Sequence, residues 1–319
     1  MDARTTEDAA SGRPNAARRP VLTPTGARCL AIVVLALACA PLAHATYGWP
    51  LQPFDKQHPV RSFFDDPRQE GAEAASFHFG IDISAPDGTP VYAVADGIVR
   101  LQPDAVALVA DAGDRIFSYW HVVPSVGDET RVTAGTEIGT IKAGFGHVHF
   151  AELHNGTYVN PLRPGGIVPY VDATSPTIVT LFAATGTRKL SLDALSGEVD
   201  LLVDCYDTPP TPLPAPPWNL TRVAPALIRW RLVPEGAAGA TWRTAVDFRS
   251  YLAPRERFSD VYAPWTTLNR PNRPARLVYY LARGFDTSRL PNGRYRLQVA
   301  VFDSQGNSAR AGIWVSVSN

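Results

Sequence analysis

The sequence predicts an all-β chain made of two successive antiparallel units, and three observations carry that prediction. Apolar residues recur in short, alternating runs; Gly, Pro, Asn and Asp separate the runs; and no stretch between Tyr47 and Pro164 holds the three-and-four spacing of an amphipathic helix. At 319 residues, 45% hydrophobic and 19% charged with a formal net charge of zero, the chain is long enough for two cores. It lacks the basic excess on which nucleic-acid binding depends.

The first 45 residues differ from the rest. A tail carrying Arg13, Arg18, Arg19 and Arg28 leads into the apolar run from Cys29 to Ala40, then Pro41 and Ala43-His44-Ala45. A basic region, a short apolar region and a small-x-small cleavage site make residues 1–45 a signal peptide cleaved after Ala45, because the run is short for a spanning helix. An uncleaved N-terminal membrane anchor is the alternative. Lipid attachment at Cys39 is a minor one, since Ala36 stands where a lipoprotein signal usually has Leu. The chain is therefore expected to be exported, to the periplasm or cell envelope or beyond it. Cleavage leaves Cys205 as the sole cysteine, so no intrachain disulfide is expected. Cys205 ends the apolar run from Val199, where a buried inert thiol is expected.

The first unit, residues 46–171, reads as strands from Gly80 to Ile83, Val91 to Val94, Gly97 to Leu101, Val106 to Ala110, Arg115 to Trp120, Thr136 to Ile141 and Val148 to Leu153. The segments Asp87 to Val99 and Val126 to Gly139 echo each other, each running turn, strand, glycine turn, strand, as in the sandwich-hybrid barrels of lipoyl and biotinyl carriers. A carrier needs an exposed lysine at a hairpin tip, and Lys142 is the only lysine between residues 57 and 188. The echo speaks for fold, not for a swinging arm.

The second unit, residues 172–319, alternates in Val199 to Cys205, Ala226 to Val233, Thr244 to Phe248, Ala275 to Leu281, Tyr295 to Phe302 and Ala311 to Val317. That spacing suits an antiparallel β-sandwich. Its end, from Leu290 to Asn307 with turns at Asn292-Gly293 and Gln305-Gly306-Asn307, resembles the closing hairpin of bacterial immunoglobulin-like modules. The run Thr208 to Pro217, with six prolines in ten residues, reads as a stiff loop within this unit.

The chemistry concentrates in the first unit. In a strand, His147 and His149 point to one face while Val148 and Phe150 point to the other. His78 and Asp82, four apart, share a face of an extended segment, and His121 closes the strand ending Tyr119-Trp120. Of the six histidines after Ala45, four fall in these three clusters. Three imidazole or carboxylate ligands with an open fourth position mark a catalytic zinc site, whereas a structural site would close its shell, usually with cysteines. Four histidines and one aspartate divide into three ligands and two free imidazoles. Spacing does not say which of the free pair is the base.

The set His78-x-x-x-Asp82, the run Ala85 to Val99, the strand Tyr119-x-His121 and His147-x-His149-Phe150 followed by Asn160-Pro161 resembles the lysostaphin/LytM-type zinc endopeptidases, peptidase family M23. The resemblance covers roughly residues 58 to 164. It implies an M23-type antiparallel sheet, one Zn2+ held by His78, Asp82 and His149, and His121 and His147 as catalytic histidines. It also implies hydrolysis of peptide crosslinks of bacterial peptidoglycan by a metal-activated water. Competing readings are a non-catalytic zinc-binding envelope module, acting as activator or wall binder, and an adhesive envelope protein dominated by the sandwich. Two loops depart from the pattern: Asp111-Ala-Gly-Asp114 replaces a glycine-rich loop with an aromatic residue, and only Thr140 to Gly146 separate Gly139 from His147. Both loops wall the substrate groove in the family, so a different groove is implied. His58 and His154 are expected at surface or edge positions, His154 being near enough in sequence to support the pair. Tyr92 and Phe150 are expected in the core, and Asn160 at the turn before Pro161.

Overall fold

The structure, a computed structural model, describes residues 46–69, 75–213 and 220–319. The expected signal segment 1–45 and residues 214–217 of the proline run lie outside the described residues. Among the described residues, no helix is long and apolar enough to cross a membrane.

The largest sheet has eight strands. Its path runs β1 (Val60–Ser62), β4 (Ile81–Ser84), β12 (His147–His154), β8 (Arg115–Trp120), β7 (Ala105–Ala110), β6 (Gly97–Gln102) and β10 (Arg131–Val132), with β13 (Thr157–Val159) paired beside β12. A three-stranded sheet orders β5 (Pro90–Tyr92), β11 (Glu137–Ile141) and β9 (Val122–Pro124), and a ribbon pairs β2 (Pro67–Arg68) with β3 (Ser76–Phe77). Every pairing in these sheets is antiparallel. The alternation seen in the sequence is the reason: Phe117 and Tyr119 of β8 and Val148 and Phe150 of β12 point to one side and meet Val91, Ile138 and Ile141 of the smaller sheet in a common core. Phe150, fully buried, packs its ring on Tyr47, Phe117 and Tyr119. Tyr92 is only half-buried, edge-on to Phe54.

The second half is a sandwich of two four-stranded antiparallel sheets. One orders β15 (Arg188–Lys189), β14 (Thr177–Thr185), β16 (Glu198–Tyr206) and β19 (Val278–Asp286); the other orders β18 (Arg243–Asp247), β17 (Leu227–Pro234), β20 (Gly293–Phe302) and β21 (Ser308–Val317). Leu201, Val203 and Cys205 from the first sheet share a core with Ile228, Trp230, Leu297, Val299 and Val301 from the second. Cys205 is fully buried, and that burial pushes its thiol well up, away from the reactive thiolate. The expected strand from Ala275 begins only at Val278, because Arg276 is drawn into a bridge with Thr267. β14 carries no alternation in the sequence: its first half, which includes Ile178 and Val179, is largely exposed, and Leu181 to Ala184 are buried without a break.

The two halves interlock through the segment after β1. The Asp66 carboxylate accepts from the Ala224 amide at 2.6 Å, Asp65 accepts from the Ala253 amide at 3.0 Å, and the Tyr262 hydroxyl donates to the Asp65 carbonyl at 2.8 Å. Phe77 of β3 packs in the sandwich core against Phe248, Phe258 and Tyr262, while Val223 belongs to the first core. Asn160 fixes the turn before Pro161 by accepting from the Leu162 amide, and donates across to the Phe248 carbonyl.

Candidate metal centre

Strand register assembles the centre. His149 on β12 lies directly opposite Asp82 on β4 and Trp120 on β8, so the carboxylate, the imidazole and the end of the His121 strand arrive together. His78, from the segment before β4, closes the group. Three atoms converge: His78 Nε2 is 2.7 Å from His149 Nδ1 and 3.2 Å from Asp82 Oδ1, and His149 Nδ1 is 3.1 Å from Asp82 Oδ1. The three residues are 2%, 7% and 5% exposed for His78, Asp82 and His149.

The neighbours fix which atom of each residue faces inward. His78 donates from Nδ1 to the Phe63 carbonyl at 2.8 Å, which leaves Nε2 as the lone pair. Arg68 donates to Asp82 Oδ2 at 3.2 Å and to the Ser62 hydroxyl at 3.1 Å, occupying the outer carboxylate oxygen and leaving Oδ1 inward. The His149 ring is held among Phe79 and Trp120, with Nε2 buried and without a partner against Gly80. The site has the donor set for zinc: two imidazole nitrogens and one carboxylate oxygen, close to the spacing of roughly 3.3 Å that a tetrahedral shell at about 2.0–2.1 Å requires.

Electrostatics favour the metal-binding forms. Burial, then the nearby Arg68 charge, pushes His78 down to about 3, so it is neutral at pH 7. Burial would raise the Asp82 carboxyl, yet His78, His149 and Arg68 together hold it well below the usual carboxylate range. A neutral imidazole beside an ionised carboxylate is the protonation state a cation needs.

The other two expected residues line the same cleft, a space of about 240 Å³ bounded by Arg61, Arg68, His78, Phe79, Asp82, Trp120, His121, His147 and His149. His147 Nε2 lies 3.6 Å from Asp82 Oδ1. Its Nδ1 has an acceptor, the Phe145 carbonyl at 2.8 Å, and a donor, Arg61 at 2.6 Å. Donation to Phe145 leaves Nε2 a lone pair; acceptance from Arg61 puts the hydrogen on Nε2. The His121 ring is 4.8 Å from that of His147 and stacks on Phe145 at 4.1 Å. His121 adopts φ of 62°, a left-handed backbone that a non-glycine residue holds only when its surroundings impose it. Burial, then the neighbouring His147, lowers His121 to about 4, and burial lowers His147. The short loop before β12 explains Phe145: Asp87 accepts from the Gly144 and Gly146 amides and braces it.

Sequence reasoning missed Arg61, Ser62, Arg68 and Phe145. A signal for two of them existed, since Arg61, Asp65, Asp66 and Arg68 crowd charge around the apolar pair Phe63-Phe64, a pattern that a plain strand would not carry. His154 sits at the far end of β12, 3.3 Å from Asp114, and His58 bonds to the Pro53 carbonyl.

Gly80 is a tight point. A Cβ there would lie 2.4 Å from the Phe150 carbonyl and 2.9 Å from His149 Nε2. Gly80→Ala is expected to cost roughly 1–3 kcal/mol and to weaken zinc retention by displacing the His149 ring. Urea unfolding and zinc content after dialysis test both effects.

The sequence of residues 76–161 matches the model of peptidase family M23. Uncharacterized proteins of Mycobacterium tuberculosis and Mycobacterium bovis are each 36% identical over 106 residues, covering 30% of this chain and 26% of theirs. The chain thus aligns with about a quarter of the length of these curated relatives. Among solved structures, the catalytic domain of lysostaphin from Staphylococcus simulans is 21% identical with a TM-score of 0.29, covering 33% of this chain and 90% of that one. A zinc-containing peptidase from Vibrio cholerae is 22% identical with a TM-score of 0.31, covering 35% of this chain and 37% of that one. The matched residues include His78, Asp82, His121, His147 and His149, and the chain carries a peptidase family M23 domain over residues 76–161.

Proposed function

We propose that the protein is an exported zinc endopeptidase that hydrolyses the peptide crosslinks of bacterial peptidoglycan. The observation that carries the reading is the division of labour in one cleft: three donors converge on a point, and two further imidazoles, both depressed towards neutrality, border its open side. Zinc, when bound by His78, Asp82 and His149, supplies Lewis acidity for the scissile carbonyl and for water.

The remaining work falls to the chain itself. A neutral His147 or His121 accepts the proton of the attacking water, and the resulting imidazolium donates to the oxyanion or to the leaving amine. Phe145 holds the His121 ring in one plane, and Arg61 or the Phe145 carbonyl selects the His147 tautomer. A groove of about 180 Å³ continues from the cleft along Arg61, Arg68 and Asp82 to Arg222, Leu268 and Asn269 of the second half. Its guanidiniums suit the carboxylates of wall peptides. The second half would then form one wall of the substrate groove. Its strand order supports the immunoglobulin-like reading, because β14, β16 and β19 take the places of strands A, B and E while β18, β17, β20 and β21 take those of C′, C, F and G.

The test is release of new amino groups from purified peptidoglycan by zinc-loaded protein, beside His147→Ala. The parent is expected to release them. The variant is expected to keep one zinc and lose about 10²–10⁴-fold in rate, because its metal ligands are untouched while a proton-transfer group is gone. A parent that holds zinc but releases nothing from several wall types would instead point to a non-catalytic binding module.

A further inference from the structure

A second group of buried acids lies away from the cleft, where the segment leaving the first half crosses the sandwich. Asp172 belongs to that segment, Asp207 follows β16, and Asp303 stands at the tip of the β20–β21 hairpin. They are 7%, 1% and 3% exposed, and one oxygen from each lies within 4.8 Å of the others. No Lys, Arg or His among the described residues pairs with any of the three.

Their hydrogen bonds leave oxygen atoms over. Asp303 accepts from the Gln305 and Asn307 amides and from the Asn307 side chain; Asp207 accepts from the Thr208 amide; Asp172 Oδ1 accepts from the amide and hydroxyl of Thr174. No donor lies within ordinary hydrogen-bond distance of Asp172 Oδ2, although it is buried; the Tyr170 hydroxyl is its neighbour. Two hydroxyls share the same condition: Tyr170, itself 9% exposed, and Ser304 are buried at their oxygen atoms without a hydrogen-bond partner. Tyr170 faces the acids, for after burial it is the Asp172 and Asp207 charges that push its hydroxyl well up.

Three carboxyl groups and three unpartnered oxygen atoms share one dry place, where burial pushes Asp207 up to about 8 and Asp172 upward; a bound cation would compensate the three carboxylates. Oxygen-only donors select a hard cation over zinc, which takes nitrogen and sulfur. Magnesium demands near-octahedral geometry and keeps several waters, for which this enclosed and irregular group has little room; calcium accepts irregular oxygen shells. We propose that Asp172, Asp207 and Asp303 bind one calcium ion, with the Tyr170 and Ser304 hydroxyls beside it, in a second metal site that pins the connecting segment to the hairpin tip. Asn307 marks the same junction, its side-chain amide bridging the Asp172 carbonyl and the Asp303 carboxylate.

The experiment uses the full, zinc-loaded chain in metal-scrubbed buffer, titrated calorimetrically with calcium chloride and unfolded thermally with and without it. One saturable site per chain and a rise in unfolding midpoint of roughly 5 °C or more are expected. Asp172→Asn and Asp207→Asn relieve the repulsion, so each is expected to be at least as stable as the parent without calcium, to lose the calcium response, and to keep its zinc. A parent that gives neither heat nor a shifted midpoint, or a response that both variants retain, overturns the proposal. An equal rise with magnesium chloride at the same concentration overturns the assignment to calcium.

Discussion

Asp82→Ala is expected to reduce zinc content from one per chain to nearly none after dialysis and to bring peptidoglycan hydrolysis to background. The substitution removes an inward oxygen, leaves His78 and His149 2.7 Å apart with no anion between them, and strips Arg68 of its partner at Asp82 Oδ2. Loss of an outer hydrogen-bond partner typically lowers metal affinity or activity by about 10–100-fold, and loss of a ligand exceeds that. Arg68→Gln provides the scale: it keeps all three ligands and is expected to fall within the smaller range. Elemental analysis for zinc and amino-group release from peptidoglycan, run on both variants, separate the two cases. An Asp82→Ala protein that kept its zinc would remove Asp82 from the ligand set.

Glu152→Ala is expected to lower the stability of the whole protein by about 3–5 kcal/mol, the cost typical of breaking a buried ion pair from one side. Glu152 is fully buried on β12, three residues beyond His149. It accepts from both ends of the Arg163 guanidinium at 2.7 and 2.8 Å and from the Tyr47 hydroxyl at 2.6 Å, with Arg115 at 3.7 Å. Alanine there leaves two guanidiniums and a phenol enclosed without their acceptor. Urea unfolding read by tryptophan fluorescence checks the loss; Glu152→Gln, which keeps an acceptor, should lose less. A variant as stable as the parent would mean that water replaces the carboxylate.

These residues show how far the sequence could be read. Three of the expected site residues were legible because strand alternation is a local property: once His147-Val-His149 is a strand, its histidines share a face, and the opposing position of Asp82 follows from pairing β12 with β4, whereas His78 and His121 lie outside the strands and were placed by the family resemblance. Alternation also places Glu152 on the side of Val148 and Phe150, so its burial was implied. Its partner was not, because Arg163 returns to it through a turn after β13. Arg61 and Arg68 escaped for a related reason. Their segment has no period, and it takes its shape from residues of the sandwich rather than from its neighbours in sequence. The acidic group of Asp172, Asp207 and Asp303 is the extreme case, since each aspartate alone reads as a turn residue.

The clasp formed by Asp65 and Asp66 bears on the order in which the protein becomes competent. Its partners Ala224, Ala253 and Tyr262 lie 158, 188 and 197 residues further along the chain. Contacts of such separation form late, after the cost of closing a long loop has been met. A chain still emerging with Tyr262 unmade would already contain every histidine of the cleft, and the segment between Arg61 and Arg68 would have its bonds to β3, β4 and His78 but would lack its contacts to the second half. Completion of the C-terminal half is thus expected to be needed before the segment beside the candidate metal centre is fully packed.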